Sequence, residues 1–261
     1  MPLLEAHHIM EVTPMKNETL KKLKSMNLTA FANQYLDQSN NEMEYSSLSF
    51  HERLALMVES EYASRHNNAI QRLIKNANFS IPSAFMGNIA YLPDRHLNRD
   101  LLDSLSDNEY ICDCKNVIIV GATGSGKTYI SNALGVNACQ SGYRTKYIRL
   151  PNLFNEIAKA RDEGTYEKLM RHYSRFAVLI LDEFLLIEIT TFQRNELLEI
   201  METRSGTATT IFCSQYTPEG WHQLLGGGAV ADSILDRIMT SSYSMTIKGD
   251  TSMRQRISTL K

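Results

Sequence analysis

Residues Gly121, Ala122, Thr123, Gly124, Ser125, Gly126, Lys127 and Thr128 follow the apolar run Val117–Val120 and meet the spacing G-x-x-x-x-G-K-[ST] at every fixed position. A segment of this kind binds the phosphates of a nucleoside triphosphate. Glycines allow the tight turn that aims several backbone N–H groups at phosphate oxygens, at the N-terminus of a following helix. The Lys127 ammonium then reaches the β- and γ-phosphates, and the Thr128 hydroxyl stands where Mg2+ needs an oxygen ligand. Further along, Ala177 to Leu181 is apolar throughout and ends in Asp182-Glu183. A strand so built carries carboxylates to the carboxyl edge of a sheet. Asp182 is then a Mg2+ ligand, through water, and Glu183 a general base that polarises an attacking water. The plain alternatives are a Gly/Ser turn and a strand capped by solvated acids. Their joint occurrence at this distance favours the nucleotide site.

Other polar residues admit two readings. Ser214 and Gln215 end an apolar strand and suit either a γ-phosphate sensor or an ordinary turn. Arg237 and Arg254 suit surface ion pairs or phosphoryl-transfer chemistry, for which a permanently charged, planar guanidinium is fitted. A finger supplied by a neighbouring subunit is worth roughly 10³ to 10⁵ in rate, and Arg237 is the candidate. Lys21, Lys22 and Lys24 form a basic helix face that either is solvated or meets DNA phosphates.

These groups need elements to hold them. From Asn17 to about Ala77 apolar residues recur at helical steps, which predicts an all-helical module. Its longest helix starts at Ser49, where Ser49 and Glu52 make a capping box, and Leu54, Val58, Tyr62, Ile70 and Ile74 are expected along a buried stripe. Pro82, Gly87 and Pro93 mark Asn78–Cys114 as a connector with one short helix. Beyond it, strands are expected at Val117–Val120, Thr145–Arg149, Phe176–Leu181, Thr209–Ser214 and Tyr243–Ile247, alternating with helices. That alternation predicts an α/β fold with a central parallel sheet flanked by helices. The expected organisation is a leader over residues 1–14, a helical DNA- or partner-binding domain over 15–80, a connector over 81–110 and an ATPase domain over 111–261.

The 261 residues carry 27 Lys and Arg against 29 Asp and Glu, a formal net charge of −2. No global basic field points to nucleic acid, so any such contact must come from a local patch. Four cysteines, Cys112, Cys114, Cys139 and Cys213, fit neither a disulfide framework nor a four-ligand zinc site. No apolar run approaches the roughly 18 residues of a membrane span, and the N-terminus lacks a secretory pattern, so the cytoplasm is expected.

The phosphate loop, the Asp182-Glu183 strand end and the stretches Ile211–Leu225 and Ala231–Arg254 together resemble the IstB-like transposition helper ATPases of bacterial insertion sequences. These are AAA+ relatives of the DnaC-type helicase loaders. Ser214-Gln215, Trp221, Ala231-Asp232 and Leu235-Asp236-Arg237 are the discriminating marks, and Ser47–Phe79 looks like the family's helical module. The resemblance implies an AAA+ P-loop ATPase using ATP and Mg2+, with Ser214 and Gln215 as the first sensor region, Arg254 as the second sensor and Arg237 as a finger acting in trans. It further implies self-association through a head-to-tail ATPase interface, duplex DNA as a ligand and a partner transposase, with no membrane partner. A loader of a replicative helicase and a nucleotide-regulated scaffold without turnover are the alternatives. The chain departs from the family pattern at Glu183, where many members carry Asp, at Leu185, where glycine is usual, and at Gly226-Gly227-Gly228, where an Asp-Pro pair is common.

Overall fold

A computed structural model of the chain describes residues 16–249, 251–253, 255 and 256; residues 1–14 and Arg254 lie outside the described residues. The chain divides into two compact units, Met1–Ala69 and Ile70–Lys261. The division falls inside the helix Phe50–Ala77.

The first unit is helical over residues 16–25 (α1), over Thr29–Asn40 (α2) and in the first part of Phe50–Ala77 (α3). The capping box forms as expected: the Ser49 N–H donates to Glu52 Oε2 at 2.7 Å, and the Glu52 N–H donates to Ser49 Oγ at 3.4 Å. The buried stripe forms only in part: Leu54, Val58 and Tyr62 are 37%, 52% and 66% exposed, Ile70 and Ile74 are partly buried, and besides Ala77 at its end α3 buries Glu61. Its Oε2 accepts the N–H groups of Ala30 (3.0 Å) and Phe31 (3.1 Å), which open α2, and its Oε1 accepts Arg65 Nε at 2.7 Å. Leu28, at the N-cap of α2, offers no side-chain cap, so a carboxylate from α3 serves instead, at the positive end of the helix dipole. Helical periodicity identifies α3 but misplaces its inner face, because polar capping rather than apolar burial sets the contact.

In the second unit the segment after α3 is part of the core. It holds two 3₁₀ turns, Met86–Asn88 and Pro93–Arg95, and two helices, Arg99–Ser106 (α4) and Glu109–Cys112 (α5). Asn98 caps α4 by accepting the Leu101 N–H at 3.0 Å. Leu102, Leu105 and Tyr110 are wholly buried, each apolar side chain contributing about 1.5–3 kcal/mol.

Five parallel strands follow: Asn116–Gly121 (β1), Thr145–Arg149 (β2), Val178–Asp182 (β3), Thr209–Ser214 (β4) and Ser242–Ile247 (β5). Their spatial order is β2-β3-β4-β1-β5, which sets β4 between the two strands expected to carry the nucleotide groups. The connecting helices are Lys127–Gln140 (α6), Leu150–Asp162 (α7), Tyr166–Ser174 (α8), Thr191–Arg204 (α9), Pro218–Leu224 (α10) and Gly228–Met239 (α11).

Alternation along the strands separates two cores. Ile118, Val120, Leu179, Leu181 and Phe212 point to the face covered by α7 to α11, whereas Val117, Ile119, Val178, Ile180 and Ile211 point to the face covered by α6. Arg204 fastens the edge where the strands begin. Its buried guanidinium donates to the carbonyls of Tyr173, Phe176 and Thr209 and to the Thr210 hydroxyl, and burial pushes its pKa down to about 10. β3 starts at Val178 rather than at Phe176, because its pairing with both neighbours begins there, opposite Thr145 and Thr209.

Candidate nucleotide site

β1 ends at Gly121, and the chain turns through Ala122–Gly126 into α6, whose first residue is Lys127. Gly124 and Gly126 have φ of 78° and 100°, conformations that L side chains rarely adopt. A Cβ on Gly121 would stand 2.7 Å from the Ile247 carbonyl oxygen, and one on Gly126 would stand 2.7 Å from Arg95 Nη2. The glycines are therefore required by backbone shape and by crowding from behind the loop. Lys127 Nζ donates to the carbonyls of Gly121 (2.7 Å) and Ala122 (2.9 Å) across the loop mouth. The Ser125 hydroxyl is buried with no hydrogen-bond partner, the condition of a polar group awaiting a ligand.

β3 runs beside β4 and delivers Asp182 to the same sheet edge. Asp182 Oδ2 accepts the Thr128 hydroxyl at 2.7 Å and the Tyr147 hydroxyl at 2.8 Å, while Oδ1 accepts the Glu183 N–H at 2.9 Å. Thr128 and Asp182 thus converge as two hard oxygen donors, a set that fits Mg2+. Burial, first of all, raises the pKa of Tyr147 and keeps its hydroxyl protonated as a donor. Glu183 turns away in a left-handed conformation, φ 55°, and faces Arg149 Nη1 at 3.6 Å across the β2–β3 edge. Leu185 is also left-handed, φ 49°, so the loop keeps the shape a glycine would give it while burying a leucine side chain.

The structure separates the two sensor candidates. The Ser214 hydroxyl donates to the Phe184 carbonyl at 2.8 Å and accepts Trp221 Nε1 at 3.0 Å, so it is spent on the Phe184–Phe212–Trp221 cluster. Ser214 stands opposite Val120 in register, and the exposed Gln215 follows it level with the phosphate loop. Arg237 lies elsewhere. Asn116, the first residue of β1, donates to the carbonyls of Arg237 (3.3 Å) and Ile238 (3.1 Å), five residues or about 16 Å of strand from Gly121. The Arg237 guanidinium is held by Glu202 at 2.8 Å and by the Ser233 carbonyl at 2.9 Å. Lys21, Lys22 and Lys24 on α1 are all exposed, and Lys22 pairs with Glu18 at 2.7 Å.

Two contributors have no motif to announce them. Tyr147 is an internal residue of β2, legible only once Asp182 is seen beside it. Arg95, buried in a 3₁₀ turn, donates to the carbonyls of Ser125 (2.9 Å) and Ala90 (2.5 Å) and so fastens the loop from below. Burial, and then the neighbouring Arg256, lowers its pKa. From the C-terminal side the Met253 N–H donates to the Gly124 carbonyl at 2.9 Å. Met253 also lines, with Ile81, Lys127 and Tyr129, a cavity of about 220 Å³ beside the loop.

A family model described as IstB-like ATP binding protein matches residues 19–260. The chain belongs to this IstB-like ATP-binding family. A relative described as an insertion sequence ATP-binding protein, y4pL of Sinorhizobium fredii, is 33% identical over 93% of this chain and 98% of its own. Among solved structures, AMPPCP-bound DnaA from Aquifex aeolicus aligns with a TM-score of 0.56 at 21% identity, covering 67% of this chain and 53% of that one. The DnaC helicase loader aligns with a TM-score of 0.54 at 19% identity, covering 64% and 97%. These likenesses fix the fold as that of an AAA+ P-loop protein. The IstB-like chain is an ATP-binding ATPase of the insertion-sequence type. Among the described residues no helix is long and apolar enough to cross a membrane.

Proposed function

We propose that this ATPase is a transposition helper that assembles head to tail on duplex DNA, bends or remodels the target and recruits or stimulates a partner transposase. The observation that carries the reading, beside family membership, is the position of Arg237 at the far end of β1 from its own phosphate loop. An arginine side chain cannot span about 16 Å, so Arg237 does not reach its own phosphate loop, and in this reading it completes a neighbour's site. A contact of that kind is heterologous and generates rings or helical filaments.

Within one site, Lys127 and the loop N–H groups hold the phosphates, with the Ser125 hydroxyl as a further donor. Thr128 and Asp182 hold Mg2+, which when bound neutralises charge on the β- and γ-phosphates. Glu183 takes the proton of the attacking water, Gln215 senses the γ-phosphate from β4, and the cavity at Ile81, Tyr129 and Met253 receives the base. Arg254, outside the described residues, is the second sensor in this reading. A filament following duplex phosphates bends DNA at roughly 1–6 kcal/mol for a 20–30 bp site, offset by added contacts. Lys21 and Lys24 contribute phosphate contacts from the helical unit.

The test mixes the purified protein with duplex DNA and ATP or ADP and records particle mass and DNA contour by electron microscopy. A large ATP-dependent assembly on bent duplex is expected. Failure to assemble, together with co-purification of a hexameric helicase, would assign the protein to helicase loading instead.

A further inference from the structure

The outer edge of the ATPase sheet carries a concentration of positive charge unlike the rest of this slightly acidic chain. Arg144, just before β2, and Lys146, its second residue, alternate with Ile148 onto the face covered by α7 and α8. Along α8 and just past its end, Lys168, Arg171, His172 and Arg175 follow at steps of three and four, which puts them on one helical face. The strand and helix groups meet: the Arg144 guanidinium lies 5.4 Å from the Phe176 ring centre, and the His172 ring lies 4.9 Å from the same ring. Among the described residues no ion pair engages Arg144, Lys146, Lys168, Arg171 or Arg175. Of the nearby acids, Glu156 accepts the Tyr173 hydroxyl at 2.6 Å and Glu163 pairs with Lys159 at 3.7 Å.

Helix-end electrostatics explain only part of this. Cations in the last turn of α8 favour its dipole, which accounts for Arg171 and His172. It does not account for Arg144 and Lys146 on the adjacent strand, which add repulsion. The field is evident at His172, whose pKa is lowered by burial first and then by Lys146 and Arg144.

We infer that this β2–α8 surface binds the phosphate backbone of duplex DNA. The inference rests on the proposed DNA-binding role and gives it a site on the ATPase unit. Lys168 to Arg175 spans about 10 Å of helix, the rise of about three phosphates along one strand. The aromatic residues of the patch, Tyr173 and Phe176, are buried, so the surface offers no stacking platform of the kind that unpaired strands use. Charge without a stacking platform fits the phosphates of a double-stranded backbone.

The experiment measures binding of a fluorescein-labelled duplex of random sequence, with ATP, across about 50–200 mM salt. The wild type is compared with R144A/K146A/R175A and with the charge-preserving R144K/K146R/R175K. The alanine variant is expected to lose at least tenfold in affinity and to flatten the salt slope by at least about 2, since each phosphate contact contributes about 0.9. Its DNA-free ATP turnover and melting temperature should match the wild type, and the charge-preserving variant should keep the wild-type slope. Wild-type binding with an unchanged isotherm for the alanine variant overturns this surface alone. Equal losses in both variants would point to packing on Phe176 and overturn it too. Loss confined to a single strand of the same length would assign the surface to unpaired DNA, against the inference. A wild type that binds no duplex removes the proposed function along with it.

Discussion

The Tyr147 hydroxyl and the Thr128 hydroxyl donate to the same oxygen, Oδ2 of Asp182, at 2.8 and 2.7 Å. A Thr128 hydroxyl that offers its oxygen to a metal can still donate to Asp182, and Tyr147 is the second donor that fixes the carboxylate. Partners one layer behind a metal ligand commonly change metal affinity 10–100-fold. Tyr147→Phe is therefore expected to raise the Mg2+ concentration for half-maximal turnover about tenfold while metal-free binding of a fluorescent ATP analogue stays the same. Equal weakening with and without Mg2+ would show that Tyr147 merely supports the strand.

Glu183 and Arg149 make a half-exposed pair at 3.6 Å, an arrangement worth about 0–1 kcal/mol. So weak a restraint cannot lock the base. Arg149→Ala should change turnover by less than about fivefold, the rate equivalent of 1 kcal/mol. Glu183→Gln removes the proton acceptor and should cost about 10²–10⁴ in turnover with nucleotide affinity retained. Single-turnover hydrolysis and equilibrium binding separate the two, and near-normal hydrolysis by Glu183→Gln would remove it as base.

Arg237 is 29% exposed and tied to Glu202, so under the proposed head-to-tail assembly a neighbour's site would have to compete for it. Arg237→Ala should bind ATP normally yet turn over slowly, and Lys127→Ala should bind ATP poorly. Mixed together, the two inactive variants should recover turnover, because the second supplies fingers to the intact sites of the first. No recovery at any mixing ratio would exclude a finger acting in trans.

The phosphate loop and the apolar strand ending in Asp182-Glu183 are legible because each depends on local spacing. What stayed hidden depends on groups meeting across the fold. Tyr147 and Arg95 have side chains of ordinary type, and only tertiary packing brings them to Asp182 and Ser125. The inner face of α3 was misread for a related reason: Leu54, Val58 and Tyr62 satisfy helical periodicity, but the carboxylate of Glu61 answers the uncapped amides of α2. The segment after Asn78 reads as a connector because its prolines interrupt the pattern, although Leu102 and Leu105 sit at a helical step beyond them.

Leu185 adopts a left-handed backbone, which costs about 1–2 kcal/mol, yet its side chain is wholly buried. Deleting a buried leucine side chain costs about 2–5 kcal/mol, so burial outweighs strain. Leu185→Ala loses the packing and keeps the strain; Leu185→Gly loses the packing but relieves it. Both should lower stability in urea titrations, the glycine variant by no more than the alanine variant. An alanine variant more stable than the glycine variant would mean that backbone strain at this turn is negligible.

Glu61 is held below the ordinary carboxylate range first by the Arg65 hydrogen bond and then by the Phe31 N–H. A carboxylate whose pKa is lower folded than unfolded adds stability above the unfolded value of about 4.3, and that stability is lost as pH falls through the folded value. The start of α2 should therefore loosen on acidification. Hydrogen exchange at the Ala30 and Phe31 amides, corrected for intrinsic rates, should lose protection as pH drops from neutrality into this range. Glu61→Gln keeps an acceptor but not the charge, so its protection should be lower at pH 7 and flat with pH. If the variant and the wild type lose protection in parallel, the acid response belongs to another group and Glu61 is only a neutral cap.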